Sequence, residues 1–294
     1  MTLEPQTITG STRLIGLIGS PVAHSLSPRI HNHALKTLGL PYAYVPLNVP
    51  NGQLHTAMMA LRSLSFIGAN VTVPYKKKVV PYCDVLSPLS TIIGAVNTLY
   101  FEGGLLHGHT TDVEGFFRAL SWMHRDPRGG NIVILGNGGI ARTLGFAFAM
   151  DHAVGSLTLI GRDNERVSAL CREVSEKTDQ KAMHAVFQSG DYARAIKECS
   201  LLINCTSIGM YPHGDVSPID GRLLHEAITV FDTVYNPGTT KLLSLAKSAG
   251  CQTQNGLRML LYQGLASFKL WTGHEVDEKI FDMEELQSIV DRGV

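Results

Sequence analysis

The chain has 294 residues, and its 25 Lys and Arg residues balance 25 Asp and Glu residues. That length suits two domains, each able to bury its own core. The balanced charge provides no basic surface for nucleic acid or an anionic membrane, and the apolar runs are too short for a transmembrane helix. The N-terminus lacks the pattern of a secretory signal, and the five cysteines are scattered. We therefore expect a cytoplasmic protein with free, mostly buried thiols.

Strands and helices alternate in the first part of the chain. Ser27 and Pro28 are typical of a helix start, with Ser27 as the cap and Pro28 at the first helical position. This helix is expected to end near Gly39, and a second helix near Ser63. Apolar runs predict strands at residues 13–19, 42–47, 66–72, 95–101 and 105–107.

The alternation continues after Asp112. Residues 114–124 have the apolar spacing of a helix. Strands separated by helices are predicted at residues 131–135, 157–160, 201–205 and 230–232. This pattern is typical of a parallel sheet covered by helices on both faces. The tail, residues 256–294, has helical spacing and no clear strand, so we expect it to pack across another part of the molecule.

The histidines do not predict a metal site. The closest pairs are His31 with His33 and His107 with His109. Neither pair has the spacing of a metal-binding helix with a nearby carboxylate. We interpret these side chains as surface groups or hydrogen-bonded core residues.

A glycine-rich string follows the strand at 131–135 directly and precedes a helix. Its residues are Gly136, Asn137, Gly138, Gly139, Ile140 and Ala141. This pattern is typical of dinucleotide binding, because the first glycine allows a tight turn and the second lets the backbone approach a pyrophosphate. The small third position allows close packing, and the helix N-terminus favours the phosphate charge. A glycine-rich turn in an unrelated α/β domain is the alternative.

The end of the next strand bears on the choice of cofactor. An NAD enzyme usually has an acidic residue there for the ribose hydroxyls. Here the chain has Gly161, Arg162 and Asp163, with Arg166 one helical turn later. Arginine suits a 2′-phosphate, which favours NADP, whereas the carboxylate of Asp163 would repel that phosphate. The alternative reading of both arginines is a solvated helix start.

Two further strings supply one lysine and one carboxylate. The run of residues 68–76 ends in Lys76, and the run of residues 108–112 ends in Asp112. Such a pair can move a proton, which beside a nicotinamide site indicates alcohol oxidation or carbonyl reduction. The alternative reading of Lys76 is a surface lysine in the run of residues 76–78.

Several separated strings resemble the shikimate dehydrogenase family along nearly the whole chain. They are residues 18–28, 68–76, 94–98, 204–210, 234–237 and 256–264. The resemblance implies an N-terminal three-layer α/β substrate domain, residues 1–112, and a Rossmann-like doubly wound NADP-binding domain, residues 113–255. It also implies that the C-terminal helices, residues 256–294, return to the first domain.

The resemblance also implies roles for individual residues. Lys76 and Asp112 would form the catalytic pair, with Lys76 carrying the proton and Asp112 orienting it. The substrate would be bound by Ser25, Ser27, Thr72, Asn97, Tyr235 and Gln263, with the two serines on its carboxylate. The cofactor would be bound by the glycine-rich string, Gly161, Arg162, Asp163, Arg166, Thr206, Thr233 and Gly256.

The expected activity is the reversible NADP-dependent reduction of 3-dehydroshikimate to shikimate, by a monomer or homodimer. Three departures from the family pattern stand out: Thr110 in place of Asn, Gly161-Arg162-Asp163 in place of Asn-Arg-Thr, and Asn137 in place of Ala. The last two keep open an NAD-preferring quinate/shikimate dehydrogenase. A third possibility is a relative without activity that senses the metabolite, which the presence of both Lys76 and Asp112 disfavours.

Overall fold

The computed structural model describes residues 8–150 and 154–292. The prediction that the N-terminus is not a secretory signal rests on residues 1–6, which lie outside these ranges. The chain divides into two compact units: the first contains the residues up to Gly115 and those from Leu260 onward, and the second is Phe116–Met259. The domain limits expected at residues 112 and 255 lie close to these divisions. No helix within the described ranges is both long and apolar enough to cross a membrane.

The elements up to the start of the second unit follow the expected alternation, with a few additions. In chain order they are β1 (Arg13–Gly19), α1 (Ser27–Thr37), β2 (Tyr42–Asn48), α2 (Leu54–Ser63), β3 (Gly68–Val71), β4 (Val85–Leu86), α3 (Pro88–Ile93), β5 (Thr98–Glu102), β6 (Leu105–His109) and α4 (Asp112–Trp122). The first six-stranded sheet has the order β2-β1-β3-β5-β6-β4. Its core is apolar and includes Ile18, Met58 and Leu99.

The first sheet is mixed, because β5 runs antiparallel to both β3 and β6. The antiparallel pairing of β5 with β6 follows from the two-residue connection Gly103-Gly104, where both residues have positive φ, 58° and 82°. Two consecutive positive φ values form the tight hairpin turn that glycine permits, and a tight hairpin reverses the chain.

The remaining elements form the second unit and the C-terminal segment. They are β7 (Asn131–Leu135), α5 (Gly139–Met150), β8 (Ser156–Gly161), α6 (Asn164–Lys177), β9 (Ala182–Val186), α7 (Gly190–Glu198), β10 (Leu201–Asn204), β11 (Thr229–Asp232), α8 (Lys241–Ser248), β12 (Gln252–Gln254), α9 (Leu257–Thr272) and α10 (Met283–Asp291). The tail is helical as expected, with no strand among described residues 256–292.

The second sheet is parallel throughout, as predicted, with the order β12-β11-β10-β7-β8-β9. Its order reverses between β7 and β10, because the chain continues outward from β7 through β8 and β9 and then returns to β10. In doubly wound sheets of this kind, ligands bind beyond the carboxyl ends of the strands at this switch point. The strand ends at Leu135 and Asn204 therefore mark the place to look for a bound cofactor.

The C-terminal segment returns to the first unit, as expected. The indole Nε1 of Trp271 in α9 donates to the carbonyl oxygen of Leu99 in β5 at 2.8 Å. The ring Nε2 of His33 in α1 lies 3.0 Å from the carbonyl oxygen of Ile280. These contacts hold α9 against the strands that carry the candidate site.

The start of α1 differs from the prediction. Pro28 lies in the first turn as expected, but Ser27 is itself helical and no side chain caps the helix. Instead Ser25 Oγ accepts a hydrogen bond from the backbone N–H of Ser27 at 3.2 Å. Ser27 is buried within the first turn of the helix, and Leu26 is the N-cap residue.

Candidate active site

Lys76 and Asp112 are in direct contact. Lys76 follows β3 in a short turn, and Asp112 begins α4, so the two side chains come from separate elements. The Lys76 Nζ atom lies 2.5 Å from Asp112 Oδ2, and the side chains are 17% and 6% exposed. The carbonyl oxygen of Lys76 accepts from the backbone N–H of Val96 at 2.8 Å, which fixes the lysine backbone beside the start of β5. The site thus contains a nearly buried, charge-balanced pair with limited access to solvent.

Asn97 fixes the other oxygen of Asp112. The backbone N–H of Thr111 donates to Asn97 Oδ1 at 2.8 Å, so the amide nitrogen must point the opposite way. That nitrogen donates to Asp112 Oδ1 at 2.9 Å and lies 3.2 Å from Gln263 Oε1. Because a carboxylate only accepts hydrogen bonds, Asp112 offers one oxygen to Lys76 and the other to Asn97. Its orientation is therefore set from two sides.

A cluster of buried polar groups lies next to Asn97. Ser267 Oγ lies 2.7 Å from Thr98 Oγ1 and 3.1 Å from Thr111 Oγ1. Asn70 Nδ2 donates to Ser267 Oγ at 3.0 Å. Ser267 also donates to the carbonyl oxygen of Gln263 one turn earlier at 2.9 Å. The cluster thereby joins β3, β5, the start of α4 and α9 around the Lys76–Asp112 pair.

Tyr44 in β2 connects to the same cluster, because it donates its hydroxyl to Asn70 Oδ1 at 2.8 Å. Of the serines predicted to hold a carboxylate, Ser25 is half-buried two residues before α1 and Ser27 is buried in its first turn. Thr72 is also half-buried, and its backbone N–H donates to the carbonyl oxygen of Ile18 at 2.8 Å. The first unit thus contains five predicted substrate residues, which are Ser25, Ser27, Thr72, Asn97 and Gln263, and a hydrogen bond joins Asn97 to Gln263.

Tyr235 belongs to the second unit. It follows β11 and is half-buried, and burial raises the pKa of its hydroxyl. Its contact with substrate stays a prediction.

The glycine-rich string lies at the switch point of the second sheet. Gly136 has a φ of 111°, and its backbone N–H donates to the carbonyl oxygen of Ile160 at 2.7 Å. A side chain at this position would approach Thr206 Cγ2 to 3.2 Å. Gly138 and Gly139 instead face open space, while Ala141 is buried. The exposed backbone before α5 fits a pyrophosphate, because the first N–H groups of a helix have no partner within it.

The residues after β8 also have defined positions. Asp163 is the N-cap of α6, and its Oδ1 accepts from the backbone N–H of Arg166 at 3.2 Å. The Arg166 Nε atom lies 3.2 Å from Asp163 Oδ2, and the Arg166 side chain is 81% exposed. Arg162 is exposed as well. The Asp163 charge is therefore engaged by the helix start and by Arg166, which reduces its repulsion of a phosphate near Arg162. These groups fit a 2′-phosphate.

The other predicted cofactor residues lie on loops after β10 and β11. Thr206 is half-buried, and its hydroxyl donates to Asn204 Oδ1 at 2.7 Å. Gly256 is buried against the Thr233 backbone, where a side chain would collide with the carbonyl oxygen of Thr233. Gly161 is buried at the end of β8. The structure brings Thr206 next to Gly136, and it brings Gly256 next to Thr233.

Comparisons with known proteins place the chain in a family. A model of the shikimate dehydrogenase substrate binding domain matches residues 17–99, and a model of the shikimate 5'-dehydrogenase C-terminal domain matches residues 256–282. A shikimate dehydrogenase (NADP(+)) of Methanopyrus kandleri is 41% identical over 275 residues, covering 93% of this chain and 94% of that protein. The chain belongs to the shikimate dehydrogenase family.

Solved structures of shikimate dehydrogenases have the same fold. One, in complex with NADP+, is 37% identical with a TM-score of 0.88, covering 93% of this chain and 94% of that one. Another, from Listeria monocytogenes in complex with shikimate and NAD, is 34% identical with a TM-score of 0.86, covering 96% of this chain and 99% of that one. The shikimate dehydrogenase fold therefore accounts for both units of the chain.

Sequence reasoning missed several polar residues of this shikimate dehydrogenase. Asn70 and Asn204 lie inside strings that carried the resemblance, yet neither was given a role. Ser267 lies one helical turn beyond Gln263, so the helical period alone places it on the same face. Asp232 ends a predicted strand. Each of these residues is buried, and each makes several side-chain hydrogen bonds.

The remaining candidate groups are metal-binding side chains and thiols. Among residues 8–150 and 154–292, no three His, Cys, Asp or Glu side chains are arranged to hold a metal ion. All five cysteines are free, and Cys171, Cys199 and Cys251 are buried.

Proposed function

We propose that this chain catalyses the reversible NADP-dependent reduction of 3-dehydroshikimate to shikimate. The observation that carries the proposal is the Lys76 Nζ–Asp112 Oδ2 contact of 2.5 Å, held in place by Asn97. This contact supports the assignment of Lys76 as proton donor and of Asp112 as the carboxylate that orients it. Membership of the family supplies the substrate class.

Lys76 handles the proton in this reaction. NADPH, when bound, supplies the hydride for the carbonyl carbon of the substrate. As the carbonyl oxygen gains negative charge, the Lys76 ammonium donates a proton to it and leaves an alcohol. The resulting neutral amine regains a proton from solvent, which reaches the 17% exposed side chain. In the oxidative direction the same amine accepts the hydroxyl proton.

Asp112 positions the lysine and the substrate hydroxyl. Because Asn97 and Lys76 bind different oxygens of Asp112, the carboxylate keeps one orientation while the lysine loses and regains its proton. Ser25 and Ser27 would hold the substrate carboxylate with their hydroxyls. Thr72, Asn97, Gln263 and Tyr235 would bind the remaining substrate oxygens.

The second unit would hold the cofactor. The residues from Gly136 to Ala141 would bind the pyrophosphate, and Arg162 with Arg166 the 2′-phosphate. The engagement of Asp163 with Arg166 supports NADP over NAD. Thr206, Thr233 and Gly256 would line the nicotinamide half.

An NAD-preferring quinate/shikimate dehydrogenase is the second candidate. It is favoured by the departure at Gly161 to Asp163 and by the Listeria monocytogenes relative solved with shikimate and NAD. A relative that only senses the metabolite is disfavoured by the contact between Lys76 and Asp112.

One assay separates these candidates. The purified chain is mixed with shikimate or quinate and with NADP+ or NAD+, and the absorbance of the reduced nicotinamide is followed. We expect the highest kcat/KM for shikimate with NADP+. A higher kcat/KM with NAD+ than with NADP+ would show that the cofactor is NAD. If no pair of substrate and cofactor gave turnover, the metabolite-sensing relative would be the remaining candidate.

The proposal also covers the location and the oligomeric state of the enzyme. We infer a cytoplasmic enzyme, because the activity belongs to biosynthetic metabolism and consumes a cytoplasmic cofactor. We also infer a monomer or homodimer, which light scattering of the purified chain distinguishes.

A further inference from the structure

Asp232 is a buried carboxylate that the proposed chemistry does not use. It ends β11 and has 0% exposure. Its oxygens accept three hydrogen bonds, from Asn204 Nδ2 at 2.9 Å, the Val234 backbone N–H at 3.0 Å and Thr240 Oγ1 at 2.6 Å. Within the described ranges no Lys, Arg or His side chain forms an ion pair with it. Burying a carboxylate without a cation costs free energy, so the presence of Asp232 at this position calls for an explanation.

The carboxylate dictates the orientation of Asn204. Burial raises the pKa of Asp232 to about 6, so at neutral pH the group is mainly ionised and only accepts hydrogen bonds. Asp232 Oδ1 must therefore face the Nδ2 atom of Asn204, which is itself fully buried. The carbonyl oxygen of the Asn204 side chain then has to point the opposite way.

That oxygen organises the loop after β10. Asn204 Oδ1 accepts from the backbone N–H of Thr206 at 3.0 Å and from the Thr206 hydroxyl at 2.7 Å. Thr206 Oγ1 in turn accepts from the backbone N–H of Ile208 at 3.2 Å. The loop therefore winds around one amide, whose nitrogen is held by Asp232 of β11 and also lies 3.4 Å from the carbonyl oxygen of Ile208. Thr206 is also the residue whose methyl group lies against Gly136 of the glycine-rich string.

We propose that Asp232 is a positioning residue for cofactor binding: by fixing the Asn204 amide, it holds Thr206 in the place where the loop after β10 borders the glycine-rich string. The inference rests on the proposed function, which gives this edge of the second sheet to NADP. Asp232 touches neither substrate nor cofactor and acts only through Asn204.

The test is the substitution Asp232→Leu, because leucine has a similar size and offers no acceptor to Asn204 Nδ2. Asp232→Asn would not serve, because the Val234 backbone N–H donates to the same Oδ1 atom and would keep an amide oxygen facing Asn204. We expect the KM for NADP+ to rise roughly tenfold, equivalent to about 1.4 kcal/mol of binding free energy. The KM for shikimate should stay within about twofold, since the substrate residues of the first unit are unchanged.

Two further variants separate positioning from general stability. Thr240→Val removes the donor to the other oxygen of Asp232 and keeps the carboxylate facing Asn204. It should lower the melting temperature and leave the KM for NADP+ unchanged. Combining Asp232→Leu with Thr206→Val should raise the KM for NADP+ by less than the product of the single effects, because both changes interrupt one chain of contacts.

Calorimetric titration of NADP+ into each variant gives a readout that does not depend on turnover. If wild-type protein binds NADP+ but does not oxidise shikimate, the proposed function fails while the inference is still tested. Should Asp232→Leu not fold, Asn204→Ala interrupts the same chain and should weaken NADP+ binding similarly. Equal losses for shikimate and NADP+, or unchanged NADP+ affinity in the folded variant, would overturn the inference.

Discussion

Each unit of the molecule buries one carboxylate next to the end of a strand, and the two are stabilised differently. Asp112 in the first unit contacts the ammonium of Lys76 and the amide of Asn97. Asp232 in the second unit has three neutral donors and, among the described residues, no cation partner. The first carboxylate can therefore take part in proton transfer beside a charged partner. The second holds a neighbouring amide in one orientation.

Two cations of the second unit lie at the surface near the end of β8. Arg162 is exposed, and Arg166 is 81% exposed although it pairs with Asp163. The buried carboxylate of the first unit is thus balanced by a neighbouring lysine, whereas the second unit leaves the positive charge of Arg162 available to an anionic ligand. Substitutions in both units test this difference in charge balance, beginning with the one of largest expected effect.

Lys76→Ala should abolish most turnover. Removing the proton donor should lower kcat roughly 1,000-fold, within the range of general acid catalysis. The affinity for shikimate should change little, since Ser25 and Ser27 remain. Steady-state kinetics with calorimetric titration of shikimate measure both quantities.

Lys78→Ala is the matched control, because this lysine is exposed in the same segment and lies 5.8 Å from the centre of the Tyr75 ring. It should keep nearly full activity. Near-normal kcat in Lys76→Ala would refute the assigned role.

The buried carboxylate of Asp232 should make stability depend on pH. Its folded-state pKa of about 6 lies above the ordinary value of 3.8, so the folded protein binds more protons than the unfolded chain between pH 4 and 6. The free energy of unfolding should therefore decrease as pH rises through this window, by about 3 kcal/mol from this group alone.

The measurement is the difference in unfolding free energy between wild-type protein and Asp232→Asn, obtained by denaturant titration from pH 4 to 7. The difference is needed because burial lowers the pKa of His31 to about 3, which changes stability in the opposite direction over an overlapping window. Glu173, whose pKa Arg142 lowers to about 2, contributes mainly below this range. A difference independent of pH would contradict the prediction.

Asp112→Asn should impair catalysis less than loss of the lysine. Lys76 and Asn97 face different oxygens of Asp112, and an amide would place an NH2 group, which cannot accept, at one of these two positions. With the lysine less firmly oriented, kcat should fall roughly 100-fold. Asp84→Asn is a suitable control, since Asp84 pairs with Arg62 in the same unit and has no role in the proposed site. Equal losses in the two variants would indicate a structural effect only.

The long central strands could be predicted because each is a continuous apolar run, as in β1 and β7. The edge strands β4 and β12 could not, since two or three residues carry no period. Gly103-Gly104 is a strong hairpin signal. Its meaning for the direction of β5 became clear only with the pairing of the strands.

The candidate site was likewise only partly predictable from the sequence. The contact between Lys76 and Asp112 follows from strings that a single sequence displays. Ser267 and Tyr44 could not be found, because their importance depends on α9 and α1 packing against the first sheet. Ser27 was wrongly expected to cap α1, since it lies inside the first turn and Leu26 is the N-cap residue.

The smallest expected effect concerns the exposed cations of the second unit. Arg162→Ala should raise the KM for NADP+ roughly tenfold and leave the KM for NAD+ unchanged, because only NADP+ has the 2′-phosphate. Arg166→Ala should have a weaker effect, since the Arg166 Nε atom already lies 3.2 Å from Asp163 Oδ2. Kinetics with both cofactors for the two variants give the comparison. Equal changes for NADP+ and NAD+ would mean that Arg162 contacts the common part of the cofactor, and the division between internally balanced and available charge would then not explain cofactor choice.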